Sequence, residues 1–342
     1  MSNGVLIGGL IISFLVLAQG ADILVTNIKA LAARLKVPIF FLGLLLGLFT
    51  SMPELILGIS SSRYNLNNVA LGNLLGGIIV LFGFVLGLAI IFNRQIKTDG
   101  NLATVAPGPL LFLLPLILGL KGWLNRWDGL VMIIAYLMVA YYNYSHHQSA
   151  AGNSPDKLLA AVDARPRSRW RRFLDSLYRV VYSFKNIKLR RLLVNRHLWL
   201  GVFGFLLISF SSQLIINFSS ELLQRWGWPP LLVGVLIFSI GTNLPEITVT
   251  MRALIKKAGA LSISHLIGSA VSNVLIIGIL LQFGRIPTKP ALSFGLSAGT
   301  ILVTSGLFLI FYKTDKCFHR WEGVTLLAVY LIFLASQLIW AT

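Results

Sequence analysis

Thr50-Ser51-Met52-Pro53-Glu54 returns as Thr242-Asn243-Leu244-Pro245-Glu246, 192 residues later, each time inside a long apolar segment. A carboxylate in hydrocarbon is costly and marks a function rather than a packing role. The proline just before it lacks a backbone donor and clashes with the carbonyl four residues back. That carbonyl belongs to Phe49 in the first copy and to Gly241 in the second. Each copy therefore offers one acid, hydroxyl or amide oxygens and a freed carbonyl at a broken turn. Hard cations are bound by such oxygen sets, and two copies at matching depth point to one shared site.

The surrounding chain is apolar throughout. Of 342 residues 56% are hydrophobic and 12% charged, too few polar groups for a soluble domain of this size. About ten stretches of roughly 17–30 residues are each long enough to cross a bilayer: 4–28, 38–62, 67–93, 103–120, 127–145, 198–223, 230–254, 261–283, 290–312 and 322–341. They lack the polar alternation of membrane barrel strands. The expected fold is an all-α membrane protein of ten transmembrane helices. Five helices (1–145), a basic loop (146–197) and five more helices (198–342) make two repeats, and because five is odd the second enters from the opposite side. The register of 192 holds from Pro38/Pro230 through both acids to Gly76/Gly268, which chance does not supply.

The net charge of +18 is a topology signal, not a nucleic-acid footprint. With the N-terminus outside, 23 Lys and Arg fall on the inner side and 6 on the outer, or 11 against 6 without the central loop. The positive-inside rule then places both termini outside and the loop in the cytoplasm of a plasma (inner) membrane. The loop interleaves arginines with Trp170, Phe173, Leu177 and Tyr178, a pattern suited to anionic lipid headgroups. Cys317 is the only cysteine, so no disulfide or thiolate cluster is expected. The first apolar stretch lacks a basic n-region and a cleavage site, and is read as a helix rather than a signal peptide. Oligomeric state is not legible.

The helix after each acid brings a second polar face: Asn73, Gly76 and Gly77 in the first half, His265, Gly268, Ser269 and Asn273 in the second. At these residues the chain resembles the calcium/cation antiporter superfamily, which includes the sodium/calcium exchangers. Their repeats carry G-T-S-x-P-E followed by G-N-x-x-G-S-N. Here the first repeat reads Phe49-Thr50-Ser51-Met52-Pro53-Glu54, then Gly72-Asn73-Leu74-Leu75-Gly76-Gly77-Ile78. The second reads Gly241-Thr242-Asn243-Leu244-Pro245-Glu246, then Ser264-His265-Leu266-Ile267-Gly268-Ser269-Ala270. Gln19-Gly20-Ala21-Asp22 resembles the family's first-helix segment.

The resemblance implies inverted repeats, a midplane site and alternating access. The expected ligands are Glu54 and Glu246, the side chains of Thr50, Ser51, Thr242, Asn243, Ser269 and Asn273, and the carbonyls of Phe49 and Gly241. The implied activity is exchange of Ca2+ for Na+ or H+, without a cofactor. The chain departs from the family pattern at Gly77 and Leu81, where oxygen ligands are lost, and at His265, which replaces an Asn with a group able to carry a proton. These departures keep open an H+-coupled exchanger, a cation channel and a member that no longer transports. Asp22 is read as structural or on the ion path, and Glu221 as interfacial. Gly295-Leu296-Ser297-Ala298-Gly299 matches a hydrolase elbow, but in an apolar helix it reads as a packing surface, so no enzyme is expected.

Overall fold

In a computed structural model the described residues are 2–34, 51–93, 95–98, 102–150, 196–247, 250, 259–289, 291–314 and 317–339. Thr50, Phe49 and nearly all of the basic loop fall outside them. The helices are α1 (Asn3–Arg34), α2 (Met52–Arg63) and α3 (Asn67–Ile79), which continues through a π-helical stretch (Val80–Val85) into α4 (Leu86–Asn93). Pro107 follows a one-residue break between α5 (Leu102–Val105) and α6 (Pro107–Gly119), and α7 (Arg126–Ala150) ends the first half. The second half holds α8 (Arg196–Trp226), α9 (Pro230–Val233), a second π-helical stretch (Gly234–Phe238) and α10 (Ser239–Thr242). Then come α11 (Gly259–Leu280), α12 (Ala291–Lys313) and α13 (Arg320–Ile339). The helix expected to stop at 145 runs on to Ala150, because no breaker occurs before Gly152.

Five described helical spans are long and apolar enough to cross a membrane: Asn3–Asn27, Asn67–Asn93, Arg196–Trp226, Leu292–Lys313 and Arg320–Ile339. The Asn67–Asn93 window is 83% buried against 33–39% for the other four. That span is the centre of the bundle, and the others present one apolar side outward.

Glycines set the closest crossings, as expected where lipid is as apolar as the side chains and contact depends on backbone approach. Gly20 of α1 meets Gly204 of α8: a methyl group on either would sit 3.0 or 2.7 Å from the other's carbonyl oxygen. Gly129 of α7 and Gly278 of α11 meet in the same way (2.6 and 2.8 Å), as do Gly87 of α4 and Gly323 of α13 (3.0 and 2.8 Å). The tightest crossing joins α3 to the second π-helical stretch. A methyl at Gly72 would lie 2.1 Å from the Leu231 carbonyl, and one at Gly234 would lie 2.2 Å from that of Val69.

Two short antiparallel ladders tie loops of the two halves together. β1 (Gln95–Lys97) pairs with β4 (Cys317–His319), and β2 (Trp123–Leu124) pairs with β3 (Ile286–Pro287). Each ladder leads into a capped helix. Asp128 accepts from the Asn125 backbone N–H at 2.8 Å while Asn125 Oδ1 accepts from the N–H groups of Trp127 and Asp128. Glu322 likewise accepts from the His319 N–H at 2.8 Å. These are the contacts of capping boxes, and they start matching tetrapeptides, Arg126-Trp127-Asp128-Gly129 and Arg320-Trp321-Glu322-Gly323.

Candidate cation site

The residue two before each motif's proline takes the same non-helical backbone turn. Ser51 has φ −88° and ψ 13°, and Asn243 has φ −84° and ψ 8°, values in the sparsely used bridge region. Helix resumes with Leu55 N–H donating to the Ser51 carbonyl at 3.1 Å and Ile247 N–H to that of Asn243 at 2.9 Å. Ser51 is thus the N-terminal cap residue of α2, in keeping with the broken turn that Pro53 imposes. The break puts Glu54 in the first turn of α2 and Glu246 in the first turn of the helical residues 244–247, where backbone N–H groups favour a carboxylate.

Glu54 and Glu246 are both buried, with 1% of their surface exposed, and their carboxyl groups are close enough to interact electrostatically. Thr242 joins the halves: its hydroxyl donates to Asn73 Oδ1 at 3.0 Å and lies against the Glu54 carboxyl group. The Asn273 amide reaches across to the Leu74 carbonyl at 3.3 Å, and the Asn243 amide donates to Ser239 O at 2.7 Å. Ser51, Thr242, Asn243, Ser269 and Asn273 are all buried. Glu54 Oε2, both carboxylate oxygens of Glu246 and Ser269 Oγ have no hydrogen-bond partner. A buried polar atom left unpaired costs about 1–3 kcal/mol and a charged one more. The three unmet carboxylate oxygens are acceptors, and Ser269 Oγ can accept as well as donate.

One residue is not legible from the motifs, and another, Asn73, is legible as part of a polar face but not in its contact. Thr250, one turn beyond Glu246, is fully buried and its hydroxyl also has no hydrogen-bond partner; the signal is the i, i+4, i+8 spacing of Thr242, Glu246 and Thr250. Asn73 enters through its bond to Thr242, while its own Nδ2 is unpaired. The Gly241 carbonyl is not simply released by Pro245, because it receives the Asn243 N–H. Gly241 itself is required by packing, since a methyl there would fall 2.3 Å from the Phe14 ring of α1.

The space at Gly77 is occupied from the other half. A methyl group there would meet Asn273 Nδ2 at 2.7 Å and Asn243 Nδ2 at 3.0 Å. Leu81, one turn on, is fully buried. His265 is partly buried on α11. Asp22 lies in the interior of α1 at an exposed position, apart in burial from the two acids. Glu221 pairs with Arg225 at 2.5 Å on the surface of α8, as an interfacial acid would. Ser297 is committed inside the fold, donating to Ser293 O at 2.8 Å and accepting from Gln337. A methyl group added at Gly295 or Gly299 would meet nothing within 4 Å, whereas Leu296 and Ala298 pack against the core, so the segment packs through its middle residues and not through its glycines.

The model of the family described as sodium/calcium exchanger protein matches residues 5–145 and 196–339. The chain belongs to that family. The matched residues are the two apolar halves, and they leave out the basic segment between them. Among relatives, the sodium/calcium exchanger MaX1 of Methanosarcina acetivorans is 23% identical, covering 95% of this chain and 96% of its own length. The Ca2+/H+ antiporter ChaA of Bacillus subtilis is 20% identical, with coverage of 85% and 81%. In fold the chain is similar to the sodium-calcium exchanger NCX_Mj (TM-score 0.61, 21% identity, 98% of this chain and 99% of that one). It is also similar to an H+/Ca2+ exchanger, CAX (TM-score 0.69, 18% identity, 98% and 86%). The family places the chain among multi-pass membrane cation exchangers and not among enzymes.

Proposed function

We propose that the chain is a secondary-active antiporter that carries Ca2+ against Na+ or H+ at one site formed by Glu54 and Glu246. The observation that carries this reading is the set of unpartnered buried oxygens on the two acids and Ser269. Two carboxylates balance one divalent ion, and Thr242, Asn243, Asn273, Ser51, Thr50 and the carbonyls of Phe49 and Gly241 complete its shell. The empty, doubly charged site resists crossing the apolar barrier, so each passage needs a cation in one direction or the other.

Ten helices in two inverted repeats are the scaffold of this reading. Its support is the pairing of like with like: the matching torsions at Ser51 and Asn243, the two capped R-W-acid-G helix starts, and the reciprocal glycine crossings Gly129–Gly278 and Gly87–Gly323. The ladders follow the same exchange, each joining a loop of one half to its counterpart's neighbour in the other. The charge count places both termini outside, with the central loop in the cytoplasm on anionic headgroups. Single cysteines introduced near Ser168 should label only from the cytoplasmic side and those near Arg225 only from outside. The reverse pattern would overturn the orientation.

The experiment that tests the activity is 45Ca2+ flux in proteoliposomes under imposed Na+ gradients and, separately, pH gradients. Uptake should need a counter-ion gradient; flux that continues without one would make the protein a channel, and none under any gradient would make it a member that does not transport. Gly77, whose space the asparagine amides already fill, apolar Leu81 and His265 speak for a proton as the counter-ion, while the motif spelling and Asn243, Ser269 and Asn273 leave room for sodium. With a proton as counter-ion, His265→Asn should shift the pH profile of Ca2+ uptake. Uptake that requires Na+ with the same pH profile in both proteins would exclude proton coupling.

A further inference from the structure

The tetrapeptides that open α7 and α13 are near copies, yet their side chains are used differently. At α13, Arg320 is spent within the protein, its Nε donating to the Ile91 carbonyl at 3.1 Å, and Trp321, although 58% exposed, packs edge-on against Phe311 at 5.2 Å. At α7, Trp127 is 67% exposed, and the Arg126 guanidinium stands over its ring at 5.8 Å. Arg126 makes no ion pair among the described residues, and neither does Arg285, which lines the same cavity of about 290 Å3 between the start of α7 and the end of α11. The neighbouring Lys121 is already neutralised by Asp128 at 2.6 Å. The recess is held in shape by Gln282, which donates to the carbonyls of both Arg126 and Gly278, and by the β2–β3 ladder.

Two arginines without an ion-pair partner among the described residues line one recess, and a phosphate is the ligand that arginine binds through paired N–H donors. The flanks identify the source of that phosphate. Exposed Trp127 and Phe283 stand at the rim, as aromatic side chains do at a headgroup layer. Below Trp127, α7 exposes Leu130, Val131, Ile134 and Met138, at the spacing of one helix face. We infer that this recess binds an anionic phospholipid, its phosphate between Arg126 and Arg285 and an acyl chain along the exposed stripe of α7. The orientation proposed above puts this lipid in the outer leaflet, but the binding does not depend on the ion-exchange reading.

The test is native mass spectrometry of the purified full-length protein in detergent with phosphatidylglycerol or phosphatidylcholine. Wild type should retain one more phosphatidylglycerol than Arg126→Gln/Arg285→Gln, with affinity for it falling on the order of tenfold or more in the variant. Phosphatidylcholine should not distinguish the two proteins. Lipid held by the basic loop is common to both and cancels. If the double variant does not fold, Arg285→Gln alone, in the loop after α11, supports the same comparison. Equal retention of phosphatidylglycerol would overturn the inference. Protection of wild type by inorganic phosphate to the same degree as by phosphatidylglycerol would overturn the lipid assignment.

Discussion

In proteoliposomes, Glu246→Gln should lower Ca2+ exchange by about a hundredfold or more while the protein still inserts. Glutamine keeps the shape of the side chain and removes half of the charge that balances a divalent ion. Loss of one partner from a buried ionic contact costs about 3–5 kcal/mol, roughly two to three and a half decades in affinity. Both carboxylate oxygens of Glu246 are unpartnered, so no existing hydrogen bond cushions the change; Glu54→Gln should behave alike. A melting experiment separates this from misfolding. Without Ca2+ either variant should be no less stable than wild type, because an uncompensated buried charge has gone. With Ca2+ the ligand-dependent rise in melting temperature should vanish. Transport near the wild-type rate in either variant would eliminate the two-carboxylate site.

Gly72→Ala and Gly234→Ala should each destabilise the protein by about 3 kcal/mol or more, read as loss of folded yield and a lower melting temperature. The added methyl would fall 2.1 or 2.2 Å from a backbone carbonyl oxygen. Backbone in a crossing of two helical segments cannot move aside as a side-chain end can, so the cost lies at the upper end of overpacking penalties or beyond. Gly268→Ala is the control. It stands in the same repeat register as Gly76, yet nothing lies within 4 Å of where its methyl would be, and it should melt close to wild type. Equal tolerance at all three positions would mean that the α3 crossing is looser than its geometry.

The proline motifs carried most of what could be read in advance. Pro53 and Pro245 forbid a regular turn, and the structure answers with matching torsions at Ser51 and Asn243. The burial of both acids follows from their apolar flanks. Other parts were hidden for identifiable reasons. The R-W-acid-G pair is offset by 194 residues and not 192, so a search at fixed register passes over it. With 31 glycines in the chain, composition does not say which ones face each other across a crossing. Gly77 reads in one dimension as a lost ligand. In three dimensions its missing side chain is the room into which Asn243 and Asn273 of the opposite half extend. Strands of two or three residues have no alternation to detect, so the ladders left no trace in the hydropathy pattern.

Those ladders bear on how the protein is made. Gln95 pairs with His319, so at a synthesis rate of about 5–20 residues per second the first strand waits roughly 11–45 s for its partner to leave the ribosome. During that interval the first half sits in the bilayer with the β1 backbone unpaired and with Gly87 lacking the helix that covers it. The earliest helices are therefore inserted long before they are folded. The ladder begun by β1 closes only when β4 arrives, and Gly87 is covered only when Gly323 of α13 follows it, so the first half completes its packing on segments made in the second.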